Sequence, residues 1–480
     1  MGADSFKKGE CLVDRITEEN RKKFEKLVEM VMSEQRAVGI AVAIVDKSGK
    51  VQYEKYFGYR DEEKKLPIDE HTIFGLASVT KSFTSLAIMK MAEDGIISLD
   101  DPISKYVPFF TNKNQNAPVK IWHLLCHSGG FYPLPRIVVD KVAEEMGLTE
   151  AKVGDLAYNE ALATEGAKRV AGRLDEQTDL IGLPGEIMSY CNDGFGILSD
   201  IIKNYGDQPS FAEYLLKHII RPLDMERSFC DFLKPSLDNN AATLYTNEEG
   251  IRRATRDYHD DAFVLNGGGA MKSTMSDMLK YICMYLNEGR GLNSKRIASE
   301  YSIREMCKPR QYYRPGGWYG YGLCLKSIDE INVIEHGGSL PGVSSNMSWS
   351  YEAEAGVMVL CNTMDVSSGV IADAAMRMYQ GKDPVAPSME YPEFSWSKEF
   401  INAVSGDYVM GEGERFTLSM SEEGKLAMTF NGKKKEIRPV NPYLAITPGK
   451  FSNGFVQILY DEKRGIWGAR CGSRIYPKVS

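Results

Sequence analysis

The chain has 480 residues, a formal net charge of −8, and 43% hydrophobic and 26% charged residues. That length buries a large core and accommodates more than one domain, and that balance excludes a disordered chain. The acidic surplus, with no extended basic run, argues against nucleic acid and against an anionic membrane surface as partners.

The opening residues, MGADSFKKGECLV, contain no apolar signal-peptide core, and no later apolar run approaches the ~18 residues of a membrane helix. Phe6 stands where an N-myristoylation signal requires Ser or Thr. Nine cysteines without a CxxC pair read as free thiols in a reducing compartment. A cytoplasmic protein is expected, without cofactor or metal.

Thr17 is placed to cap a helix whose Phe24, Leu27, Val28 and Val31 recur at helical spacing. AVGIAVAIVD, a turn at Lys47 to Lys50 and VQYEKYFGY then read as a buried β-hairpin. GLASVTKSFTSLAIMKMAEDG, Gly75 to Gly95, is apolar on nearly every side and predicts a buried helix begun at Ser78 and stopped by Asp94 and Gly95. Positions i and i+3 share a helical face, so Ser78 and Lys81 lie one turn apart. A serine hydroxyl attacks a carbonyl only while a base takes its proton, and burial lowers a lysine's pKa toward the range where it serves as one. The bland alternative is a helix cap and a lysine reaching for solvent. SFKK at Ser5 and SWSK at Ser395 fit the same pattern in ordinary contexts.

From Leu99 to about Asn293 the signals are mainly helical with long loops. Within IWHLLCHSGGFYPL, His123 and His127 are four apart, a spacing that lets two histidines share a metal on one helical face, yet no HExxH and no third ligand accompany them. His71, His218 and His259 carry no pattern. LPGEIMSYCNDGFGILSDIIK predicts a turn at Pro184 and Gly185, an extended piece to Tyr190, and a helix opening near Asn192 with Phe195, Leu198 and Ile202 on its apolar face. The YxN triplet recurs at Tyr245 and Tyr285 without the turn before or the helix after. Strand signals return with GWYGYGLCLKSI and VIEHGGSLPGVSSNMSWSYEAEAGVMVLCNT, followed by a helix from about Gly369 to Tyr379. The expectation is an α/β layer around one sheet, an all-α lobe inserted at about 99–310, and a cleft between them. Tyr132 and Tyr319 stand near motifs and read equally as cleft lining or packing.

Pro384, Pro387 and Pro392 mark a linker at 384–394 between a 1–383 domain and a 395–480 domain. Beyond it RFTLSM, KLAMTF with its Asn431-Gly432 turn, FVQILY and GIWGARC predict about seven short strands, a small antiparallel β-barrel without a catalytic cluster.

Three motifs in order, SVTK at Ser78, YCN at Tyr190 and HGG at His336, resemble the serine β-lactamase and penicillin-binding protein superfamily. The likeness is to its class C-like branch, with D-aminopeptidases and family VIII-type esterases. HLLCHSGG, PGEIMSYCNDGFGIL and EHGGSLPGVSS are similar to flanking segments of that branch, over about residues 20 to 380. The tail resembles, far more loosely, lipocalin-like barrels attached to some of these hydrolases. The resemblance implies that Ser78 is the nucleophile, Lys81 its proton acceptor, Tyr190 the relay to leaving group and water, and Asn192 the group that orients Lys81 and the acyl amide. It further implies an oxyanion hole from the N–H groups of Ser78 and Ser339, and a cleft strand carrying His336, Gly337 and Gly338, where Gly338 admits a substrate backbone. His336 replaces a common lysine, which removes a permanent cation and lowers the expectation of efficient penicillin hydrolysis; a hydrogen bond from His336 to Tyr190 is compatible with this. Cys191 reads as packed.

The expected function is therefore hydrolysis of an ester, amide or short peptide through an acyl-enzyme on Ser78. The alternatives are an acyltransferase using the same acyl-enzyme, a covalent β-lactam-binding sensor that stays acylated, and a metallohydrolase using His123 and His127. A homo-oligomer is compatible with the sequence.

Overall fold

A computed structural model describes residues 15–111, 117–134, 168–169, 171–178, 180–232, 234–258, 266–385 and 391–479. His259 and the SFKK segment at Ser5 lie outside the described residues, as does part of the expected linker.

Helix α1 (Glu18–Gln35) begins where Thr17 accepts a hydrogen bond from the Asn20 N–H at 3.2 Å, and it buries Phe24, Leu27, Val28 and Val31. Each of those side chains contributes about 1.5–3 kcal/mol by leaving water. Strands β1 (Gly39–Asp46) and β2 (Val51–Asp61) form the expected hairpin, and a short β3 (Leu66–Pro67) follows. Helix α2 (Thr80–Glu93) comes next, then α3 (Ile121–Leu125), α4 (Asn192–Tyr205) and α5 (Met275–Leu286). The remaining strands of the large sheet are β4 (Gln311–Arg314), β5 (Gly317–Tyr319), β6 (Cys324–Ile328), β7 (Ile331–Leu340), β8 (Val343–Ser350) and β9 (Ala355–Cys361), closed by α6 (Ser368–Tyr379).

Among the described residues these strands make one nine-stranded antiparallel sheet in the order β3-β2-β1-β9-β8-β7-β6-β5-β4. Its two halves meet where β1 pairs with β9, in the register Ile40 to Cys361 through Asp46 to Ala355. The run GIAVAIVD explains the layering, because side chains alternate across a strand. Ile40, Val42 and Ile44 face α1 and α6 in one core, whereas the smaller Ala41 and Ala43 face the core that includes Met278 and Ile282 of α5. The insertion is accordingly not helical throughout: α5 lies against the sheet, and residues 244–255 form a β-hairpin.

The C-terminal residues form two antiparallel sheets. One comprises β10 (Gly406–Val409), β11 (Arg415–Met420), β12 (Leu426–Phe430) and β13 (Lys433–Lys435). The other comprises β14 (Arg438–Asn441), β15 (Leu444–Thr447), β16 (Gly454–Asp461), β17 (Gly465–Cys471) and β18 (Arg474–Pro477). A bridge between Tyr408 and Lys478 joins the two at one edge, and Tyr408, Phe416, Val456 and Tyr476 fill the core between them. The predicted Asn431-Gly432 turn has both residues at positive φ, 45° and 77°, as a two-residue hairpin requires. Among the described residues no helix is long and apolar enough to cross a membrane, and every described cysteine is free.

Candidate active site

Ser78 does not open the helix directly. It sits in a 3-10 turn, Ala77–Val79, that leads into α2, and Ala77 takes a left-handed φ of 48°. A non-glycine residue there costs about 1–3 kcal/mol and persists only where the surroundings hold it. Here β7 and β8 hold it: Ser345 donates to the Leu76 carbonyl at 2.8 Å, and a Cβ on Gly338 would overlap that same carbonyl oxygen and come within 3.1 Å of Ala77. Gly338 is thus required by the turn behind it. Gly337, whose added Cβ would meet nothing nearer than 3.6 Å, carries no such demand. Gly338→Ala is expected to lower both stability and activity because a backbone oxygen must move, while Gly337→Ala retains the wild-type melting temperature; thermal melts of the two variants check this.

Lys81 is fully buried. Its Nζ lies 3.1 Å from Ser78 Oγ, donates to the Gly268 carbonyl at 2.8 Å, and stands 4.9 Å from the Tyr190 ring and 5.4 Å from the Phe195 ring. Burial, and secondarily the charge of Arg474, bring its pKa down to about 7, against opposing pulls from Glu412, Cys191 and Asp193. The carbonyl comes from the turn Asn266–Gly269, where a Cβ on Gly267 would overlap the Phe195 carbonyl, so the glycine run lets this turn press between α2 and α4. Asn192 opens α4 and lines the cavity, but among the described residues its side chain makes no hydrogen bond to Lys81. The hydrogen-bond partner of the amine on this side is the Gly268 carbonyl.

Tyr190 ends the extended segment before α4. Burial pushes its phenol up, with a hydrogen-bonding contact to Ser78 acting the other way. Its ring lies against His127, centroids 4.1 Å apart. His127 has φ 55° and follows the end of α3, so it shares no helical face with His123, which instead accepts from the Lys120 N–H at 2.9 Å. Among the described residues no group of three metal-ligating side chains occurs. His127 Nδ1 lies 3.1 Å from both the N–H and the carbonyl oxygen of Cys191, and its Nε2 lies 3.2 Å from the Tyr319 hydroxyl. Tyr319 in turn reaches His336 Nε2 at 2.9 Å, and His336 Nδ1 donates to the Gly337 carbonyl at 2.6 Å. The partner of His336 is therefore Tyr319, not Tyr190. Burial and the neighbouring Lys81 lower the His336 pKa to about 4, so this position carries no cation at neutral pH. Burial likewise raises the Cys191 thiol well above its ordinary range, and it is packed.

These residues meet in one cavity of about 740 Å³, lined by Ser78, Tyr190, Asn192, His336, Gly337, Gly338 and Ser339. Strand β6 pairs with β7 only up to Glu335, so His336 to Ser339 present a free strand edge to that cavity. Tyr319 also lines it; Tyr132 does not, its N–H being held by Gln177 at 3.1 Å. The YxN look-alikes are elsewhere: Tyr245 takes the Glu62 N–H at 2.8 Å, and Tyr285 is interior to α5. SWSK at Ser395 lies ahead of a short helix in the C-terminal part, with Lys398 exposed.

Two features of the lining had no signal in the sequence. Ser473 and Arg474, from the C-terminal sheet, form part of its wall. Opposite charges form another part, where Glu335 pairs with Lys326 at 2.8 Å and Arg314 at 3.2 Å and accepts from Asn346 at 3.2 Å. The two cations hold its carboxyl below the usual range although burial opposes this. Its stabilising contribution is therefore present above the unfolded carboxyl pKa and is lost as pH falls toward the depressed one. Glu335→Ala, which takes a partner from partly exposed Arg314 and leaves Lys326 with Asp373 at 2.7 Å, is expected to cost about 1–3 kcal/mol in urea unfolding at pH 7.

The protein family described as Beta-lactamase matches residues 22–379. Protein flp of Staphylococcus aureus (strain MW2) is 30% identical over 355 residues, 72% of this chain and 64% of that protein, so the match spans under two thirds of the relative's length. The octameric penicillin-binding protein homologue from Pyrococcus abyssi superposes over 95% of this chain and 99% of its own, with a TM-score of 0.66 and 26% identity. EstCE1, a hydrolase with promiscuous acyltransferase activity, shares the fold over 76% of this chain and 98% of its own, with a TM-score of 0.59 and 22% identity.

Proposed function

Since the chain belongs to the beta-lactamase family, and since its buried amine lies 3.1 Å from a serine hydroxyl at the head of a helix, we propose that it is a serine hydrolase that forms an acyl-enzyme on Ser78. The reading rests above all on that hydroxyl–amine pair, because a lysine with a pKa of about 7 is substantially neutral at physiological pH and accepts a proton.

Lys81 takes the Ser78 proton as Oγ attacks the carbonyl carbon. The N–H groups of Ser78 and Ser339 stabilise the oxyanion, each worth about 3 kcal/mol. Tyr190, a protonated phenol, passes a proton to the leaving group, and the same groups then activate water to release the acyl chain. Gly268 fixes the amine. His336, neutral and tied to Tyr319, shapes the strand edge without adding charge. The substrate class is an ester, amide or short peptide, of esterase or D-amino acid peptidase type, with weak or no β-lactam turnover.

The test is intact-mass measurement over time with a short-chain nitrophenyl ester. An adduct that appears on Ser78 and then disappears fits hydrolysis, and one that persists makes the protein a covalent binder. Turnover undiminished in Ser78→Ala overturns the reading.

A further inference from the structure

The hairpin joining β17 and β18 is clamped to the segment that carries Tyr190. The Tyr190 N–H donates to the Ser473 carbonyl at 2.9 Å, the Ile475 N–H donates to Ser189 Oγ at 3.2 Å, and Arg470 donates to the Met188 carbonyl at 2.8 Å. This contact places the Arg474 guanidinium 5.0 Å from the centroid of the Tyr190 ring, the same ring from which Lys81 Nζ is 4.9 Å distant. Glu412 holds the guanidinium, Oε2 to Nε at 2.6 Å and Oε1 to Nη2 at 3.2 Å. The loop carrying Glu412 is fixed as well, since a Cβ on Gly411 would overlap the Pro133 carbonyl.

We propose that Arg474, with Glu412 as its counter-ion, is a positioning residue for Ser78, Lys81 and Tyr190, so that the C-terminal sheet domain supplies part of the catalytic electrostatics. The proposal rests on the acyl-enzyme reading above. A second cation on the ring beside Lys81 disfavours the ammonium and favours the amine that accepts the serine proton. Arg474 is suited to this because it is charged at every pH of interest and is ion-paired with a carboxylate. The other titratable groups facing Lys81 do not replace it. His127 and His336 are held neutral by burial, Tyr190 and Cys191 are held protonated by burial, and Asp193, a carboxyl, pulls in the opposite direction, as does Glu412.

The two members of the pair therefore act on Lys81 with opposite sign, and a merely structural role does not produce that signature. The rate of Ser78 acylation by 4-nitrophenyl acetate, and by a fluorophosphonate probe, is measured from pH 5 to 9 in the full-length chain. Arg474→Gln is expected to move the acid limb of kcat/KM at least about 0.5 pH unit to higher pH, because Lys81 then holds its proton longer. Glu412→Gln is expected to move it to lower pH, the double variant to return it near the wild-type position, and Arg474→Lys to leave it in place. Limbs that stay put in both single variants, or that move in the same direction, overturn the proposal. If Arg474→Gln does not fold, Glu412→Gln decides alone: an acid shift supports the proposal, and no shift or an alkaline one overturns it. A wild-type chain that neither reagent acylates on Ser78 sinks the acyl-enzyme reading and this proposal together, whereas acylation with an unresponsive limb sinks only this one.

Discussion

Lys81→Met is expected to lower kcat/KM toward a nitrophenyl ester by about 10⁴-fold or more while leaving the melting temperature unchanged or raised. The loss of rate follows from removing the base from a nucleophile and base that act as a unit. The stability argument runs the other way. Lys81 sits at about 7 against 10.5 when unfolded, so the unfolded chain binds the extra proton between those values and stability rises with pH across that window. Below pH about 7 the full penalty of roughly 5 kcal/mol applies. A methionine of similar length escapes it and leaves the Gly268 carbonyl and the part-exposed Ser78 hydroxyl without that partner, about 1–3 kcal/mol for the buried carbonyl. The same titration sets the wild-type profile, with kcat/KM falling about tenfold per unit below pH 7. Near-normal kcat/KM in the variant, measured beside its thermal melt, would remove Lys81 from the chemistry.

Tyr190→Phe is the second large effect, an expected fall in kcat of about 10²–10⁴-fold with little change in unfolding free energy. The ring contacts to His127, Lys81 and Arg474 belong to the carbon framework and survive the substitution. Only the hydroxyl is lost, and with it the proton relay. Because burial keeps that phenol protonated, the alkaline side of the wild-type profile is expected to lack a phenolate limb below pH 9. Stopped-flow kinetics on the variant separate slower acylation from slower deacylation; unchanged rates in both would assign the relay elsewhere.

How much of this was legible in the sequence depended on whether the information was local. The SVTK helix was readable because an all-round apolar face can only be buried, and the lysine goes with it. The Tyr190 turn was readable because Pro184-Gly185 and the period of Phe195, Leu198 and Ile202 bracket it. The start of α2 lies two residues beyond the expected Ser78, since a 3-10 entry with a left-handed alanine has no composition of its own. The three glycines at 267–269 were a usable signal of close backbone approach, though not of which amine they would touch. Arg474 and Glu412 had no signal. Nothing in a β-patterned tail links position 474 to position 190, and only the docked hairpin makes them neighbours. The partner of His336 was missed for the same reason: Tyr319, on β5, reaches His336, on β7, only through the register of two strand pairings.

The seam between β1 and β9 has a consequence for how the chain is made. Ile40 leaves the ribosome early, yet the strand that completes its hydrogen bonds ends at Cys361. At about 5–20 residues per second the nascent hairpin waits roughly 15–60 s with one apolar edge unpaired. The edge that waits is Ile, Ala and Val in alternation, a segment prone to pair with another chain. Soluble yield is therefore expected to rise when initiation is slowed or chaperones are supplied over that interval, which a comparison of soluble fractions checks.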